Sequence, residues 1–150
     1  MNSKKTATFD PNNPIIKLCA EGMELEGKGL PEEAKAMFLQ AWKQASNNFE
    51  KFTAAHYVAR HQNSIEQKLE WDERALAFAL DMNDDSMEYI LPSLYLNIGN
   101  DYEQLNDLIN AKKYFEVAYL HIPALPNDGY GNMIKNGIKS GIARVAHQRL

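Results

Sequence analysis

Gly22 is followed sixteen residues later by Phe38, and Gly99 sixteen residues later by Phe115. The same companions surround both pairs. Counted from the glycine, Leu18 and Tyr95 stand at minus 4, Leu25 and Tyr102 at plus 3, and Ala34 and Ala111 at plus 12. Ala41 and Ala118 follow at plus 19, then Trp42 and Tyr119 at plus 20. Steps of three and four on each side of a short gap describe two helices, each with one apolar face. Two antiparallel helices approach closely only where a small side chain leaves a hole and an aromatic ring of the partner fills it. The chain is thereby constrained to helical hairpins, each with an apolar face left over for a neighbour to cover.

Period-two apolar runs followed by hairpin turns are absent from the sequence, and helical periodicity divides it into seven helices. The first spans about Pro14 to Glu26 and stops at Gly27–Lys28–Gly29. The second opens at Pro31 with Glu32 and Glu33 in its first turn, where the helix dipole favours anions, and fades at Ser46–Asn47–Asn48. The third covers about Phe49 to His61, and Ser64 with Gln67 predicts a capping box for the fourth. After a break at Asn83–Ser86, Pro92 places a kink, or the true start near Leu91, in the fifth helix. Asp107 caps the sixth, which ends before Pro123, and the last helix runs from about Gly131 to Gln148.

The two strong copies resemble the tetratricopeptide repeat (TPR), a helix–turn–helix unit of about 34 residues. A second, degenerate copy lies between them, with Phe52, His56, Ala59, Lys68, Asp72 and Ala75 in the corresponding places and Leu76 at plus 20. Lys68 and Asp72 cannot fill a glycine-sized hole, which predicts looser packing or a shifted register there. Ala41 to Ala75 is 34 residues and Ala75 to Ala118 is 43, a spacing similar to the kinesin-light-chain type of the family. The resemblance implies an all-α, right-handed superhelical solenoid of three repeats (about 15–48, 49–83 and 86–123). A capping helix at about 131–148 would close it, with Gly137 in the small position, and residues 1–12 would form a mobile lead-in.

A net charge of -4 over 150 residues is too mild for a nucleic-acid protein, and the lone Cys19 excludes an internal disulfide. No signal peptide or membrane-length apolar run is expected, and the reading is of a cytoplasmic protein. His56 and His61 are five residues apart, off the spacing of a helical zinc pair, and no catalytic or metal motif occurs. The expectation is therefore a non-catalytic protein with no cofactor and no metal.

The resemblance implies instead a protein–protein interaction module, with a partner's peptide held in a concave groove lined by the first helix of each pair. Carried onto this sequence, the groove is Met23 and Glu26, then Thr53, Tyr57, Arg60 and His61, then Leu96, Asn97, Asn100 and Glu103. Asn97 and Asn100 offer donor and acceptor to an extended backbone, and Arg60 a charge for an acidic side chain. A carboxylate clamp is argued against, because Cys19 and Met23 stand where lysine and asparagine would be needed. Two alternatives remain open from the residues. One is a homodimer or other self-association module. The other is an RNA-binding accessory factor using Lys135, Lys139, Arg144 and Arg149 of the basic final helix.

Overall fold

A computed structural model describes residues 10–147. The expected lead-in falls mostly outside the described residues. Its last part, Asp10–Asn12, forms a turn, with the Asn13 amide donating to the Asp10 carbonyl at 2.9 Å. The described chain is all-α, without strands. It comprises α1 (Pro14–Gly27), α2 (Pro31–Gln44), α3 (Asn48–Ala59), α4 (Ile65–Met82), α5 (Leu91–Gln104), α6 (Leu108–Leu120) and α7 (Gly129–His147). Short 3₁₀ turns at Asp85–Ile90 and Ile122–Ala124 precede α5 and follow α6. None of the described helices is long and apolar enough to cross a membrane. The helices gather into two compact units, one through Asp84 and one from Asp85.

In the first unit, α1 begins because Asn13 Oδ1 accepts from the amides of Ile15 (2.7 Å) and Ile16 (3.2 Å), with Pro14 already fixed in a helical φ. It ends where Gly29 takes φ +77, a left-handed conformation that lets the Leu30 amide reach back to the Leu25 carbonyl at 2.9 Å. The chain then turns into α2. Phe38 is fully buried, and a Cβ added at Gly22 would fall into its ring. Ile15, Cys19, Ala34, Ala41, Ala54 and Val58 complete this core. Asn47 caps α3 by accepting the Glu50 amide at 2.8 Å. The Glu50 carboxylate in turn accepts from the Ser46 amide and hydroxyl and from Asn13 Nδ2, which ties the starts of α1 and α3 together. Partial burial raises the Glu50 pKa, but these donors outweigh it and hold the group below its ordinary value.

The α3–α4 pair corrects one expectation. It is not loosely packed at Lys68 and Asp72: Asp72 is buried, and Lys68 Nζ caps it at 2.9 Å from the same helix. Ala55, Ala59 and Ala75 close the crossing. The small–aromatic lock of the other pairs is absent here: His56 stands in the glycine's place, and Asp72, capped by Lys68, in the phenylalanine's. His56 Nδ1 is sealed from solvent and has no hydrogen-bond partner among the described residues.

That burial is the largest influence on His56 and pulls its pKa below the ordinary value; Asp72 opposes it, and Arg60 and Lys68 add to it. Folded His56 therefore stays neutral where the unfolded chain takes up a proton. Its contribution to stability is full above about pH 6.5 and is lost as the pH falls below that value. A His56→Gln variant should flatten the loss of stability between about pH 7 and pH 5 seen by urea unfolding. Parallel profiles for the two proteins would contradict this account of His56.

In the second unit, Pro92 sits in the first turn of α5, behind the 3₁₀ turn, so the proline starts the helix and does not kink it. Asp107 caps α6 through the Asn110 amide at 3.2 Å. Phe115 is fully buried between two helices: a Cβ on Gly99 of α5 would lie 2.6 Å from its ring, and one on Gly141 of α7 would lie 2.8 Å from it. The last helix is thus in a different register from the one expected. A Cβ on Gly137 would lie 3.1 Å from Leu96 Cδ2, and Gly141, one turn later, receives the aromatic ring. Asp128 accepts the Gly131 amide at 2.8 Å at the start of α7.

Candidate functional site

Repeat position sorts the expected groove residues into inside and outside. Cys19, Thr53 and Leu96 each precede the small position by three residues, and all three are buried. Residues three apart share a helix face, so whatever turns the small position inward turns these inward too. Thr53 Oγ1 donates to the Phe49 carbonyl at 2.8 Å, and Leu96 belongs to the core around Phe115. Thr53 and Leu96, expected to line the groove, are therefore packing residues in their units. Burial pushes the Cys19 thiol up to about 12, which leaves it protonated and unreactive at neutral pH.

Four residues after the small position, the side chains reach the surface as ions. Arg60 Nη2 donates to Glu26 Oε1 at 2.8 Å, and His61 Nε2 lies 2.6 Å from Glu26 Oε2. Glu26 and Arg60 are 34 residues apart, one repeat period. Arg60 also lies over the Tyr57 ring at 5.3 Å, and Tyr57 and His61 both stack on Phe38, at 5.1 and 5.5 Å. Arg60, expected to await a partner's acidic side chain, is engaged by Glu26 of its own unit. Tyr57 anchors the core as much as it faces outward. Met23, 41% exposed on α1, is the apolar member of the expected set that reaches solvent in this unit.

The second unit repeats the device. Glu103 of α5 receives two donors from Arg144 of α7, Nε to Oε2 at 2.9 Å and Nη2 to Oε1 at 3.0 Å. The separation is 41 residues, two helical turns more than 34. The same offset carries Tyr57, which stacks on Phe38, onto Gly141, which lies on Phe115. Asn97 and Asn100 are half-buried on α5, and neither amide makes a side-chain hydrogen bond within the described residues. Arg144 and the Glu26–Arg60 contact are residues whose pairing the expected site lacked. The signal for Glu26 and Arg60 was present as opposite charges at one repeat position in successive first helices; Arg144 stands two turns off that position and gives no such signal.

No protein-family model, no curated protein and no solved structure matches this chain.

Proposed function

We propose that the chain is a non-catalytic interaction protein of the tetratricopeptide solenoid class, holding an extended peptide segment of a partner against α5, the first helix of the α5–α6 pair. The observation that carries this is the pair of amides at Asn97 and Asn100. A side-chain amide carries two donors and an acceptor, and partly exposed ones with no protein partner are open to a ligand's polar groups. These two stand one turn apart with donors and acceptors unspent, an arrangement suited to a peptide backbone. The Glu103–Arg144 fork, one turn further along α5, fixes the neighbouring side chains. The glycine–phenylalanine locks support the class assignment, because they hold each pair at the close approach such a repeat needs.

Selection of a random peptide library on the whole chain tests this. A selected peptide should bind the Asn97→Ala, Asn100→Ala double variant at least about tenfold more weakly, with unchanged thermal unfolding. Selection that enriches nothing over an unrelated helical protein, or peptides indifferent to both substitutions, would contradict it.

A further inference from the structure

Where α6 ends and the chain turns back into α7, the second unit forms a cleft of about 440 Å³ lined by Tyr119, Leu120, Ile122, Pro123, Lys135 and Lys139. Its floor and rim are apolar. Leu120 is 75% exposed and Tyr119 49%, so two large side chains at adjacent positions stand open to solvent. Its one polar wall is cationic. Lys135 and Lys139 stand one turn apart on α7, about 6 Å along the helix axis. Neither has an acidic partner among the described residues. Arg144, further along α7, is held by Glu103, and the helix contains no acid of its own.

We propose that this cleft is a second binding site, for an acidic peptide segment that places an apolar side chain against Leu120 and Tyr119 and two carboxylates on Lys135 and Lys139. Charge complementarity selects the occupant. The lysines need anions about one turn apart, and the apolar lining needs a large side chain between them, as in a leucine or phenylalanine flanked by glutamates or aspartates. A nucleic acid would call for more phosphate contacts and a stacking platform, and the cleft offers two cations and one exposed ring. An anionic membrane surface would call for a cluster of about four to eight basic residues on a convex face.

The probes are a fluorescein-labelled twelve-residue peptide enriched from a library on the wild-type chain and counter-selected on Lys135→Glu, an oligouridylate, and phosphatidylserine vesicles. The peptide should carry paired acids around an apolar residue. Its affinity should fall about tenfold in Lys135→Glu and in Leu120→Asp, and weaken between about 50 and 200 mM salt. It should be unchanged in the Asn97→Ala, Asn100→Ala variant, which separates this site from the one proposed above. Amide resonances of 119–122 and 135–139 should shift when the peptide is added to the wild-type chain, a readout that needs no variant to fold. Enriched peptides without acids, shifts elsewhere, or tighter binding of the oligouridylate or vesicles through the same lysines would overturn the proposal.

Discussion

Truncating Phe38 or Phe115 to alanine should each cost about 3–5 kcal/mol in urea unfolding, the largest loss expected from any single side chain here. Both rings are fully buried, and each is gripped from two sides. Phe38 lies between Gly22 and the stacked rings of Tyr57 and His61, so its removal unseats α1 from α2 and also withdraws the support under α3. Phe115 lies between Gly99 and Gly141 and holds three helices together. Hydrogen exchange should show where each loss falls: Phe38→Ala should deprotect α1–α4 first, and Phe115→Ala α5–α7. A cost below about 1 kcal/mol for either, the level of a surface change, would contradict the packing described.

The reciprocal change is nearly as severe. Valine at Gly22 or Gly99 pushes carbon into the partner ring, and a Cβ alone at Gly99 meets two ring atoms at 2.6 Å. The Phe115 ring cannot retreat, because Gly141 leaves no more room behind it. Overpacking of this kind costs about 1–3 kcal/mol, and Gly99→Val belongs at or above the top of that range. Gly27→Ala is the control. Beyond its own helical turn, nothing described lies within 4 Å of a Cβ there, and the change should cost no more than about 0.5 kcal/mol. Helix propensity favours both replacements over glycine, so a loss at Gly99 is the ring's, and a loss at Gly27 equal to that at Gly99 would contradict the lock.

Much of this architecture was legible because it is written in local spacing. Pro14, Ser64, Pro92 and Asp107 each start a helix by a mechanism that involves only the next few residues. Gly22–Phe38 and Gly99–Phe115 could be paired because both partners of each lock keep their residue type. What escaped the sequence is what depends on the second neighbour. Small residues at Gly137 and Gly141 satisfy the same pattern, and only the position of Phe115 chooses between them. His56 and Asp72 read as a failed lock because a buried polar contact leaves no periodic signal; the structure shows Asp72 sealed by Lys68.

The expected binding residues divide in the same way. Asn97 and Asn100 are half-buried on α5, with no side-chain hydrogen bond among the described residues. Thr53 and Leu96 share a face with the small position and are drawn inside with it. Glu26, Arg60, Glu103 and Arg144 are spent on each other within their units. Such partly exposed pairs contribute about 0–1 kcal/mol, so they set the orientation of side chains more than they stabilise the fold.

A double-mutant cycle on Gly99→Val and Phe115→Ala, read by urea unfolding of the whole chain, bears most directly on how these helices are held. If the glycine exists to admit the ring, valine at 99 should cost little once Phe115 is alanine, because its side chain enters the space the ring has left. The double variant would then be more stable than the sum of the single losses by about 1–3 kcal/mol. Strict additivity would mean that Gly99 and Phe115 act independently, and the account of the lock would be wrong.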